Sequence, residues 1–171
     1  MPPISYLLFA IDIGAGGNIA IGNVFSRTLY ADMHYDRERY SFEIIGGYNK
    51  TGFLDFGINP FFPSPGLEIV SEAYGPLGAF LLNYGKGRGQ FSFGMTIAYF
   101  YNEGGRGGSP MVIPSLGVSL RSSRDDDGSF VKLRLYGEYG LTKFKGFSYV
   151  SLGLSLSVFP FSSSVQQESQ P

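Results

Sequence analysis

Cysteine and tryptophan are absent from this chain, histidine occurs once, and charge is scarce. The missing cysteines exclude a disulfide scaffold, a thiolate metal site and a cysteine nucleophile. Asp, Glu, Lys and Arg make up 16% of the 171 residues, against about 25% in soluble domains. The net charge of -1 gives no broad attraction to nucleic acid. No run of about 18 to 20 apolar residues occurs, so no transmembrane helix is expected. The start, "MPPISYLLFAIDIG", has no basic leader, and Asp12 interrupts its short apolar run. It is read as lacking an intact signal peptide, so an exported protein with this start would be a mature or trimmed form.

Glycine and aromatics are plentiful instead. There are 25 Gly, and the 16% aromatics are all Phe and Tyr. Gly or Pro interrupts nearly every helical window, whereas period-two alternation recurs. In "FSFGMTIAYFYNE", Phe91, Phe93, Met95, Ile97, Tyr99 and Tyr101 alternate with Ser92, Gly94, Thr96, Ala98 and Phe100. The segments Met111 to Arg121, Phe130 to Tyr139 and Ser148 to Val158 alternate in the same way. Polar, turn-rich links join them ("NEGGRGGSP", "SSRDDDGS", "GLTKFKG"), as in an antiparallel meander. Towards the N-terminus the expected strands are Ile4 to Ile13, Asn18 to Tyr30, Arg39 to Tyr48, Phe53 to Asn59, and Leu67 to Tyr84, the last broken at "YGPLG". "NPFFPSPG" reads as a loop, Pro114 as a rim or bulge position, and residues 162–171 as a disordered polar tail after a barrel domain at 1–161.

A meander of eight to ten strands closes into a barrel to remove its edges. Its smaller face decides which kind. A water-facing strand carries Lys, Glu and Arg, but here that face is Ser, Gly, Thr and Ala, which suit a confined lumen. The expected fold is therefore an all-β, closed, antiparallel, up-and-down transmembrane β-barrel, apolar outside and polar inside. The clear segments have the roughly 9 to 11 residues a membrane strand needs. Aromatics gather near strand ends, at Tyr99, Tyr101, Phe144, Phe147, Phe159 and Phe161. Asp12, Glu43, Lys132, Arg134 and Glu138 fall on the smaller faces. They are expected to form a polar, charged lumen network, structural through pairing of buried charges rather than an ion path.

The strands from Phe91 to Phe161, ending in "FSYVSLGLSLSVFPF", resemble the small bacterial outer-membrane barrel proteins, the OmpA-transmembrane and OmpX-like group. The chain departs from them in carrying ten residues after Phe161, and it shows no family-specific motif. The resemblance implies a location in the bacterial outer membrane. It also implies a monomer whose partner is the lipid bilayer, with lipopolysaccharide as a further partner.

Candidate chemistry is sparse. His34, in "ADMHYDRERY", with Asp32 or Asp36 and a rim serine, could imitate the base and hydroxyl nucleophile of a lipid acyltransferase or deacylase. The His and Ser two apart on one strand of the deacylases is missing, since Asp36 holds that place. Read structurally, His34 is an exposed loop residue. "RDDDG" lacks the alternation of a calcium loop and reads as a solvated hairpin. "GKGRG" lacks the ending and the helix of a P-loop and reads as a basic turn, able with Lys143 and Lys145 to meet lipid phosphates. No catalytic residue, cofactor or metal is expected. The leading function is a non-enzymatic outer-membrane barrel with a structural, adhesive or narrow-pore role. The alternatives are a lipid-modifying enzyme using His34, and a soluble lipocalin-like barrel holding an apolar ligand against Phe93, Ile97, Leu116 and Leu154.

Overall fold

The computed structural model describes residues 11–37, 39–57, 66–102, 107–126 and 128–162. Eight antiparallel strands follow one another around a closed barrel: β1 Ile11–Gly22, β2 Val24–Arg37, β3 Tyr40–Gly57, β4 Gly66–Tyr84, β5 Gly89–Asn102, β6 Gly108–Arg121, β7 Phe130–Tyr139 and β8 Val150–Ser162. β1 pairs with β8, from Asp12↔Ser162 to Gly22↔Ser151, and closes the sheet. The fold is thus all-β and up-and-down, with eight strands among the described residues. Of the expected loop at 59–66 and tail at 162–171, residues 59–65 and 163–171 lie outside the described residues, whereas Gly66 opens β4 and Ser162 ends β8; the start of the first expected strand also lies outside them.

Alternation sets the two faces. Along β5, Phe91, Phe93, Met95, Ile97, Tyr99 and Tyr101 point outward, while Ser92, Ala98 and Phe100 are buried inside. The outer faces of β5 to β8 carry no charged residue. Phe93, Ile97, Leu116 and Leu154 are all exposed on the outer wall, at 50%, 59%, 64% and 50%. A lipocalin-like interior needs them inside, so they do not line such a ligand site here.

The N-terminal half departs from expectation. Asn18 to Tyr30 is no single strand: β1 and β2 meet at Asn23, with Ile21 opposite Phe25. The tight turn is held from both flanks. Asn23 donates its N–H to the Val150 carbonyl, and its own carbonyl accepts the N–H of Leu54. The two segments expected at Arg39 to Tyr48 and Phe53 to Asn59 form one strand, β3. Its pairing shifts by a bulge at Phe53/Leu54 instead of breaking. β4 runs unbroken through "YGPLG", although its ladder to β5 has no pair at Gly75 and Pro76.

Pro114 is a rim position on one flank only. It pairs with Met95 of β5, but the β6–β7 ladder begins at Ser115. The Val112 carbonyl, two residues earlier, accepts the Leu141 N–H on the β7 flank. Residues two apart in a strand present their backbone groups to the same side, so the N–H that proline lacks falls opposite Tyr139, just beyond the last pair of the β6–β7 ladder.

Glycines in the wall seat rings. A Cβ at Gly16 would lie 2.7 Å from the Tyr30 ring, and one at Gly153 would lie 2.3 Å from Tyr136. The "GAGG" of β1, which locally reads as a strand breaker, is what lets aromatics into a narrow interior.

Candidate functional site

The proximal end of the barrel is where β1, β3, β5 and β7 begin. The interior there is a dense polar network. Asp12 is fully buried, and its two carboxylate oxygens accept from Arg124 at 3.1 and 2.6 Å. Arg124 belongs to the 122–129 connection. It also donates to the Gly128 carbonyl at 3.1 Å and lies 4.6 Å from the centre of the Phe130 ring. "RDDDG" is therefore not merely a solvated hairpin, because its arginine folds back over the barrel mouth. The hydrogen bond to Asp12 holds the Arg124 pKa above its ordinary value, so this closure stays charged. Asp36 takes Arg121 and, at 3.3 Å, Arg124.

His34 corrects the expectation of an exposed loop histidine. It lies on β2, fully buried, with Phe130 and Phe159 at 5.3 and 5.4 Å between ring centres. Its nitrogens lie 3.2 Å from Asp36 and 3.4 Å from Glu43. No serine hydroxyl meets it among the described residues, so the pairing a hydroxyl nucleophile needs is not formed. Asp12, His34 and Asp36 bring one ligand-capable atom each within 4.8 Å of one another. Guanidinium groups already engage both carboxylates, so a cation would have to displace arginine.

Deeper in, Lys132 pairs with Glu43, which also accepts from Asn83 at 2.6 Å. Ser119 donates to Asn83 at 3.3 Å and extends the network to β6. Arg134 donates to Ser92 at 2.6 Å and Ser115 at 2.8 Å, and its guanidinium lies 4.5 Å from the centre of the Tyr136 ring. Glu138 accepts from Tyr149 at 3.2 Å and Ser151 at 3.0 Å. Arg134 and Glu138 form no ion pair with each other among the described residues; hydroxyls of β5 and β6 meet Arg134, and those of β8 and the 140–149 connection meet Glu138. The five charges expected in the lumen therefore sit in three groups: Asp12 with Arg124, Glu43 with Lys132, and the hydroxyl-bound Arg134 and Glu138. Arg121, Arg124, Asp36 and His34 join them. Alternation puts Arg121 on the face of Ser115 and Ser119, and His34 and Asp36 on that of Thr28 and Asp32; no local signal marks Arg124, which lies in a connection.

The distal interior holds an apolar cluster. Val24, Phe53, Phe100, Met111, Ile113, Phe144 and Tyr149 pack together. Phe144 is brought inside by the 140–149 connection, where Lys145 at φ 48 and Gly146 at φ 87 form a two-residue turn between Phe144 and Phe147. Its ring stacks on Phe53 at 5.2 Å and meets Phe100 edge-on at 5.9 Å. Between the two fillings remains a cavity of about 50 Å³, bounded by Asn18, Glu43, Arg134, Tyr136 and Glu138 among others. That volume suits a few water molecules. The basic turn at 85–88 lies at the proximal end and Lys143 and Lys145 at the distal end, so they form no common patch.

Compared with protein-family models, curated proteins and solved structures, the chain matches none of them.

Proposed function

We propose that this chain is an integral outer-membrane β-barrel without catalytic activity, whose role is structural or adhesive. The observation that carries the reading is the inversion of faces: a predominantly apolar outer wall around a charged, hydrogen-bonded interior. In water such a wall is an aggregation hazard; in a bilayer it is the solvated surface. Length supports it too. β7, the shortest strand, has ten residues, which at about 3.3 Å per residue and a tilt near 40° crosses about 25 Å, the height of the apolar band in such barrels. Tyr40, Tyr84, Tyr99 and Tyr101 lie on the outer wall near strand ends, where aromatic girdles form.

Among the roles considered, the filled ends of the lumen favour a structural one over a pore. An adhesive role draws on the distal end. β2 pairs with β3 only as far as Val24↔Phe53, so residues 54–57 and 66–69 extend past the β1–β2 turn as a two-stranded ribbon. Refolding the chain with and without preformed vesicles tests the reading. Folding only with vesicles or detergent is expected; a folded, monomeric protein in detergent-free buffer overturns it. On the non-catalytic part, lipid acyl chains should be the same with the chain and with its His34→Ala variant as without either. Acyl-chain turnover that His34→Ala abolishes would instead establish the enzyme.

A further inference from the structure

One part of the outer wall is neither flat nor uncharged. Across β8, β1, β2 and β3 it sinks into a groove of about 760 Å³, lined by Ala15, Gly17, Leu29, Tyr48, Leu156 and Val158. The floor is low because the outward residues of β1 between Ile13 and Ile19 are Ala15 and Gly17 alone, with Ile19 beside Arg27 at one end. Arg27 and Lys50 stand at its distal mouth, directly opposite one another in the β2–β3 ladder. Like charges in that position repel. Lys50 is held by Glu72 at 2.9 Å, while Arg27 has no acidic partner among the described residues. Two cations and one carboxylate leave one positive charge uncompensated.

We infer that this groove binds one anionic phospholipid, its phosphate on Arg27 and Lys50 and one acyl chain lying along Gly17 and Ala15. The inference rests on the membrane reading above. Direction agrees with it. From Arg27, four residues from the Asn23 turn, the groove descends past Leu29 and Gly17 to Ala15 and Val158, from the barrel rim towards its middle. A headgroup at the rim and a chain running inward is how a lipid lies in a leaflet. Depth agrees as well, since a wall arginine is costly at mid-bilayer and nearly neutral at the interface. The single surplus charge matches a phosphodiester, and the volume lies within the range of about 300 to 1,000 Å³ typical of ligand sites.

The test inserts the full chain into phosphatidylcholine vesicles containing equal minor shares of phosphatidylglycerol and lipid A. Insertion is followed by heat-modifiable gel mobility. The protein is then extracted gently and its bound lipids are counted by native mass spectrometry. Wild type is expected to keep phosphatidylglycerol in preference to phosphatidylcholine. Arg27→Gln should lower that preference about fivefold, the effect of one interfacial cation. Ala15→Leu, which fills the groove, should lower retention of both lipids. Both variants lie on the outer wall and should insert as wild type does. Equal retention by all three inserted proteins overturns the proposal. So does a dimer that Ala15→Leu dissolves while lipid retention is unchanged, or retention of lipid A in place of phosphatidylglycerol. Failure of every protein to insert overturns the membrane reading itself.

Discussion

Lys132 and Glu43 illustrate how charge is kept inside this barrel. Each is almost wholly buried, and each is tolerable only because of the other. Lys132→Met should leave the Glu43 carboxylate with neutral and weak partners and destabilise the barrel by about 3–5 kcal/mol. The double variant Glu43→Gln, Lys132→Met should recover most of that loss. Denaturant unfolding in detergent micelles measures both; a double variant as unstable as the single would show that the pair is not what matters. Alternation alone puts Lys132, Arg134 and Glu138 on one face, and the structure has that face inward. Their partners were not legible. Arg124 reaches Asp12 from 112 residues away, and only closure of β8 onto β1 brings that end of the chain to its mouth. His34 departs from expectation for a related reason: its charged neighbours suggest an exposed turn, yet Asp32 and Asp36 lie on the inward face with it.

At the scale of elements, the clearest segments were those whose outer residues are large and whose turns are rich in Gly, Ser or Asp. β5 to β8 meet that description. β1 to β4 do not: Gly in "GAGG" and in "IIGGY" seats rings and carbonyls of neighbouring strands, a tertiary role that mimics a break in the pattern. The link between β1 and β2 is so short that its turn is held by hydrogen bonds to β3 and β8. Phe100, an aromatic on a face of small residues, is explained by the 140–149 connection, whose Phe144 needs a partner inside. Phe144→Ala should cost about 3–5 kcal/mol. It should release that connection first, seen as faster proteolysis around Thr142 to Ser148 with the strands intact. Unchanged proteolysis would mean that the aromatic contact does not hold the loop. On the other side of the wall, Leu154→Arg at the middle of β8 should destabilise the vesicle-inserted protein by about 2–4 kcal/mol. On a wall facing water the same change would fall within about 0.5 kcal/mol.

The whole molecule is a barrel whose two faces are assigned opposite to those of a water-soluble one. Closure removes the edge strands, glycines and small residues admit the side chains that fill the lumen, and the outer wall is left to its solvent. Whether that solvent is lipid is the central claim, and the absence of cysteine makes it directly measurable. Single cysteines placed in turn from Phe91 to Asn102, each carrying a spin label, report collisions with oxygen dissolved in lipid or with a water-soluble nickel chelate. In vesicles, the account predicts that labels at Phe93, Met95 and Ile97 collide with oxygen and not with nickel, while labels at Ser92 and Thr96 are reached by neither. High nickel accessibility at Phe93, Met95 and Ile97, in a folded protein, would contradict it.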